Sequence, residues 1–62
     1  MSYVLTIEYN GKIRYLKGVS NIITTEFPAG AARFSLGLAL KAQEALLRDG
    51  YQFNIENDVS FN

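Results

Sequence analysis

The run YVLTIEYNGKIRYLK at residues 3–17 predicts a β-hairpin. Its first half alternates in chemical character, and one face of the predicted strand carries Tyr3, Leu5, Ile7 and Tyr9. A period of two that is rich in β-branched and aromatic residues is typical of a strand. The Asn-Gly pair at 10–11 is followed by a second such run, and this is the strongest short-range signal for a hairpin.

The register of this hairpin is predicted from the pairs of residues that would face each other. A two-residue turn at 10–11 would set Ile7 opposite Arg14, which mixes apolar and charged side chains on one face. A three-residue loop at 9–11 instead sets Ile7 opposite Ile13 and Glu8 opposite Lys12. Because a slip of one residue turns every side chain to the other face, the three-residue loop is predicted.

The rest of the chain predicts two further strands, a short corner and one helix. In order, these are a third strand at 22–27, a one-turn corner at 28–33, a helix at 36–49 and a last strand at 51–56. Ser35 suits the N-cap of the helix, and Gly50 suits its end. The order β-β-β-α-β predicts a single α+β domain over 1–62, a small and mostly antiparallel sheet with one helix packed on one face. The tail at 57–62 is expected to dock on the core or on a partner.

The composition excludes the usual ways of stabilising a very small domain. A chain of 62 residues buries only about 60% of the surface of its unfolded form, so disulfides, a metal or oligomerisation usually add stability. The sequence has no Cys and no His, which leaves oligomerisation and predicts no metal site and no cofactor. Its six basic residues balance its six acidic ones, which counts against a nucleic-acid binder.

The distribution of apolar residues predicts neither a membrane span nor a secretory leader. No apolar run approaches the roughly 20 residues that a spanning helix needs. The first residues, MSYVLTIEY, lack a basic segment followed by an apolar one. A cytoplasmic protein is therefore expected.

The predicted helix is more apolar than a small sheet can cover. Lys41, Glu44 and Arg48 share a narrow polar arc, and the apolar surface is roughly twice as wide as the arc of about 100° that is usual for a surface helix. We therefore expect a homodimer or higher homo-oligomer. The interface is predicted at small and apolar residues of the helix and at one tail residue, namely Leu38, Ala42, Ala45 and Phe61. The alternative is that the loop before the helix, or the tail, covers this surface.

The stretch TTEFPAGAARFS at residues 24–35 is the candidate ligand site. A helix N-terminus attracts anions, and Arg33, Ser35 and the hydroxyls of Thr24 and Thr25 could converge there. The expected pocket forms between subunits, with Tyr9 as a nearby aromatic contact. The stretch lacks the spacing and the lysine of a P-loop. Ser35 as a plain cap needs no ligand, so a pocket and a simple corner both remain open.

The residues give no support for catalysis. The commonest general base, histidine, is absent, and so is a cysteine nucleophile. The acidic residues form no motif. The protein is therefore expected not to be an enzyme.

A basic run on the second strand gives an alternative function. Lys12, Arg14, Tyr15 and Lys17 combine positive charge with a stacking ring, as sheet-based binders of single-stranded nucleic acid do. In the predicted strand, however, Tyr15 and Arg14 face opposite sides. Lysines on an edge strand also guard against aggregation, so a solvated face is the other interpretation.

Two motifs, Ala31-Ala32-Arg33-Phe34-Ser35 and Gly50-Tyr51, resemble those of very short proteins carried by phages and prophages. The resemblance covers about residues 3–56, and the apolar LGLAL after Ser35 departs from the acidic residues expected there. It implies a non-catalytic accessory protein that acts by binding, such as an inhibitor of host defence that captures a protein or a nucleotide-like anion. A purely structural assembly subunit is a third interpretation.

Overall fold

The structure, a computed structural model, describes residues 2–58. Its elements are β1 (Tyr3–Tyr9), β2 (Lys12–Gly18), β3 (Ile23–Thr25), a 3₁₀ turn (Pro28–Gly30), α1 (Leu36–Arg48) and β4 (Asn54–Asn57). The predicted order β-β-β-α-β and the α+β class are confirmed. β3 and β4 are shorter than predicted. The predicted docking of the tail concerns mainly residues 59–62. These residues, which include Phe61, lie outside the described part of the chain.

The four strands form one antiparallel sheet in the order β3-β2-β1-β4. α1 packs on one face of this sheet, over β1 and β4. The core between them consists of Leu5, Leu16, Ala39, Ala42, Leu46 and Phe53. Because α1 lies toward β4, the part of the same face that belongs to β2 and β3 has little helix above it.

The hairpin between β1 and β2 closes through a two-residue turn, so the predicted three-residue loop is wrong. Ile7 lies opposite Arg14, and Glu8 lies opposite Ile13. Asn10 and Gly11 both have positive φ, 52° and 79°. These values are those of a type I′ turn, whose twist matches that of the flanking strands. The conformation of the turn therefore outweighs the chemistry of the facing pairs.

The segment before α1 is a corner that bonds to two strands. The Ala32 N–H donates to the Leu16 carbonyl at 2.9 Å, and Phe34 and Tyr3 exchange two backbone bonds of 2.8 and 2.9 Å. These bonds fix the start of α1 beside the start of β1. The Ser35 hydroxyl then accepts from the Leu38 N–H at 3.4 Å, which confirms Ser35 as the N-cap.

Candidate ligand-binding cleft

A cleft of about 190 Å³ opens on the helix-bearing face beside the uncovered parts of β2 and β3. We call it the Arg14 cleft. It is lined by Ile7, Tyr9, Arg14, Ile22, Thr24, Tyr51 and Phe53. Five of these side chains are aliphatic or aromatic, so the walls are mainly apolar with one cation among them.

Arg14 lies on this face because of the two-residue turn, which sets it opposite Ile7. Its Nε donates to the Thr24 hydroxyl at 2.8 Å, and its Nη2 donates to the Thr24 carbonyl at 3.2 Å. The ion pairs among residues 2–58 use Lys12, Arg33 and Arg48 as their cations, and none includes Arg14. A guanidinium has five N–H donors. Arg14 is therefore held in place by a neutral partner while its charge has no carboxylate beside it in the described chain.

The aromatic side of the cleft depends on how α1 ends. Gly50 has a φ of 91°, and its N–H donates to the Leu47 carbonyl at 3.0 Å. The Tyr51 N–H then donates to the Leu46 carbonyl at 2.9 Å. These bonds form a Schellman motif, which turns the chain back toward the sheet. Tyr51 is thereby placed at the cleft, with 42% of its surface exposed.

The base and rim of the cleft differ in exposure. Phe53 is 1% exposed and belongs to the core, whereas Tyr9 is 64% exposed at the end of β1. One surface of the cleft is thus fixed by packing, and the other side is open to solvent.

Ile22 has a backbone conformation that β-branched residues rarely adopt. Its φ is 49°, in the left-handed region. That region costs a residue with a Cβ roughly 1–2 kcal/mol. Its side chain nonetheless packs against the core and lines the cleft. Strained residues of this kind cluster at ligand-binding sites.

The four predicted ligand residues do not come together. Tyr9 lines the cleft, but Ser35 lies beyond the other end of the seven-residue β1, about 20 Å away at roughly 3.3 Å per residue. Thr25 faces away from the helix, since its neighbour Thr24 shares the helix-bearing face with Leu16. Within one chain, the four predicted ligand residues are therefore not brought into one pocket at the start of α1, and a pocket formed between subunits stays a prediction.

The polar groups at that corner have structural partners. The Thr25 hydroxyl accepts from the Phe27 N–H at 3.2 Å. Arg33 donates to Asp58 at 3.0 Å and to the Ala31 carbonyl at 2.7 Å. Ser35 caps α1. The interpretation of this stretch as a simple corner agrees with these contacts.

The sequence alone assigns Arg14 to the nucleic-acid alternative and Thr24 to the start of α1, and it does not place Thr24 or Tyr51 beside Arg14. The Asn-Gly turn was the available signal, because its two-residue form places Arg14 on the helix-bearing face. Tyr51 had no comparable signal, since its position depends on the whole length of α1.

The basic run on β2 is split between the two faces, as the strand pattern predicts. Arg14 and Lys12 share one face, and Tyr15 and Lys17 belong to the other. The expected pairing of Glu8 with Lys12 is wrong, since Lys12 lies 3.9 Å from Glu26 instead. A continuous surface of cations and stacking rings is therefore not formed by this strand.

The predicted interface residues also lie in different places. Ala42 is 9% exposed and packs in the core of its own chain, so it is not an exposed interface residue. Leu38 is 58% exposed, and Ala45 is exposed as well.

Residues 2–58 contain neither a cluster of metal-ligating side chains nor a membrane-spanning helix. No group of three or more His, Cys, Asp or Glu side chains is placed to hold a metal ion in that part of the chain. No helix there has the length and apolar character needed to cross a membrane.

Comparisons with protein-family models, curated proteins and solved structures find no match to this chain. The resemblance to short phage proteins stays a prediction.

Proposed function

We propose that this protein is a small, non-enzymatic binding module that captures an organic anion in the Arg14 cleft. The observation that carries the proposal is Arg14 itself. Its guanidinium is fixed by two hydrogen bonds to Thr24 in a mainly apolar wall and lacks a carboxylate partner in the described chain. A cation so placed offers charge-assisted hydrogen bonds to an anion.

The size and lining of the cleft define the body of the ligand. A cavity of about 150 Å³ lined by apolar side chains holds one benzene ring. The Arg14 cleft, at about 190 Å³, therefore suits one aromatic ring with a small acidic group. Tyr9 and Tyr51 supply ring surface, and Phe53 and Ile7 supply apolar contact.

The acidic group is assigned to Arg14 by its free donors. Planar carboxylates and phosphates both accept two parallel bonds from a guanidinium. The class of ligand is therefore an aromatic acid, either a carboxylate or a phosphate monoester. A larger molecule with such a group could extend through the open side.

Thermal melting with three matched probes tests the proposal. Benzoate and phenyl phosphate carry the acidic group, and benzyl alcohol is a neutral compound of similar size. A ligand that binds the folded state raises the melting temperature in a saturable way. We expect this increase with one or both acids, and a much smaller one with benzyl alcohol.

Charge variants show whether the effect comes from the cleft. Arg14→Gln removes the cation, and Lys41→Gln removes one positive charge from the exposed polar arc of α1. A hydrogen bond to a charged group contributes about 1.5–3 kcal/mol, so Arg14→Gln should weaken acid binding roughly ten- to a hundredfold. Equal binding by both variants, or no binding of either acid to the wild type, would show the proposal to be wrong.

A further inference from the structure

One flank of α1 exposes three leucines on the side of β4. Leu36, Leu40 and Leu47, here called the leucine row, are 48%, 50% and 56% exposed. They share a flank because residues 4 and 11 apart on a helix lie within about 40° of each other. Leu40 and Leu47 line a groove with Gln52 and Phe53, the two residues that lead into β4. The leucine row thus lies beside the β4 edge of the sheet, and its groove shares only Phe53 with the lining of the Arg14 cleft.

The outer edge of β4 has backbone groups without partners among residues 2–58. The Asp58 N–H donates to the Ser2 carbonyl, so Asp58 and every second residue before it bond toward β1. Ile55 lies between two of these residues, and its N–H and C=O therefore point outward, away from β1. The Phe53 carbonyl points outward as well, and the Gln43 side chain caps it at 2.8 Å. No strand in the described chain pairs with Ile55 on that side.

We propose that a second copy of this chain docks antiparallel along β4, so that the sheet continues across both copies and the two leucine rows meet. A free strand edge pairs readily with another strand. In a two-fold dimer the same surface serves both copies. The edge and the leucine row lie side by side and would be covered together.

The spacing between strands and the spacing between helix axes both fit a second copy of the chain. α1 packs on both β1 and β4, so its axis lies above the space between them. Pairing β4 with its counterpart at about 4.8 Å would separate the two helix axes by two strand spacings, or about 10 Å. Packed helices lie about 8–10 Å apart. The same two-fold operation therefore satisfies the sheet edge and the helix contact.

The side chains of β4 select one register. With Ile55 opposite Ile55 of the second copy, Asn54 of each copy faces Glu56 of the other, and an amide can donate to a carboxylate on both sides. The neighbouring register centred on Glu56 would place two carboxylates opposite each other, which is unfavourable. The expected two-fold axis thus passes beside Ile55.

Sedimentation equilibrium and residue-resolved amide exchange test this dimer. The wild type should have twice the chain mass, and the Ile55 amide should be protected from exchange. The double variant Leu40→Gln/Leu47→Gln should lower the association constant by a factor of ten or more. The matched control is Leu38→Gln, which changes an equally exposed leucine on the other flank of α1.

Three results would overturn the proposal. A wild type that stays monomeric up to millimolar concentration excludes the dimer. Fast exchange of the Ile55 amide in a dimer excludes pairing along β4, and this measurement needs no variant. A dimer that is lost in Leu38→Gln but retained in the double variant would place the interface on the opposite flank. None of these results depends on ligand binding in the Arg14 cleft.

Discussion

Ile7 and Arg14 lie directly opposite each other on the helix-bearing face of the sheet. This pairing of an aliphatic and a charged side chain follows from the type I′ turn at Asn10-Gly11. The charge is accommodated because Thr24, on the next strand, accepts two hydrogen bonds from the guanidinium. The turn that fixes the hairpin therefore also creates the candidate site.

The turn should be sensitive to a Cβ at both of its central positions. Asn10→Ala and Gly11→Ala should each lower the free energy of unfolding by about 1–2 kcal/mol, since both residues are left-handed. Nothing lies within 4 Å of a Cβ built on Gly11, so its cost is conformational. The measurement is urea unfolding, with Asn10→Gly as a control that should change stability little. A neutral Asn10→Ala would contradict the two-residue turn.

At position 22, the glycine variant should be more stable than the alanine variant, which reverses the usual order of stability. Because the φ of Ile22 is 49°, Ile22→Gly should be more stable than Ile22→Ala by about 1 kcal/mol, although both lose the packing of the isoleucine. Ile23, in β3, is the matched control. There the glycine variant should be less stable than the alanine variant by about 0.5–1 kcal/mol. The same order at both sites, measured by thermal melting, would argue against strain at Ile22.

Thr24 should act on binding by positioning Arg14. Thr24→Val removes the hydroxyl that accepts from Nε and keeps the shape of the side chain. A net hydrogen bond is worth about 1 kcal/mol. We therefore expect benzoate affinity to fall about fivefold, and Thr24→Ser to restore it. The affinities can be obtained from chemical-shift titrations. Restored binding in the serine variant separates loss of the hydroxyl from a general packing defect, and equal affinities in all three proteins would refute the role.

The Arg33–Asp58 ion pair should contribute more to stability than the Arg48–Glu44 pair. Both have an N–O distance of 3.0 Å, but the side chains are 34% and 11% exposed in the first and 77% and 69% in the second. Asp58→Asn should lower the free energy of unfolding by about 1–2 kcal/mol. Glu44→Gln should change it by less than about 0.5 kcal/mol. Urea unfolding compares them, and equal losses would contradict a structural role for Asp58.

The order of elements and the bounds of the helix could be predicted from local signals. Strand alternation, Ser35 and Gly50 each act within a few residues and have the predicted roles, and the Asn-Gly pair forms the predicted hairpin, although through a shorter loop. The hairpin register could not be predicted from the facing pairs, because the turn conformation sets it and Thr24, ten residues from Arg14, accommodates the charge.

The site could not be predicted for a related physical reason. Thr24 lies opposite Leu16 on the neighbouring strand and reaches the Arg14 side chain diagonally, through the pairing of β2 with β3. Tyr51 reaches the same place only after α1 has crossed the sheet. These positions depend on tertiary packing, and the local pattern around TTEFPAGAARFS pointed instead to the start of the helix.

The most direct test of the binding proposal is a ¹H–¹⁵N NMR titration that follows the Arg14 Nε–Hε signal as benzoate, and separately phenyl phosphate, is added. The proposal predicts a saturable shift of this signal with at least one acid, with matching shifts of the Thr24 and Tyr51 amides and little change at Ser35. If neither acid moves the Arg14 signal, or if the saturable shifts centre on Arg33 and Ser35, the Arg14 cleft is not the anion site.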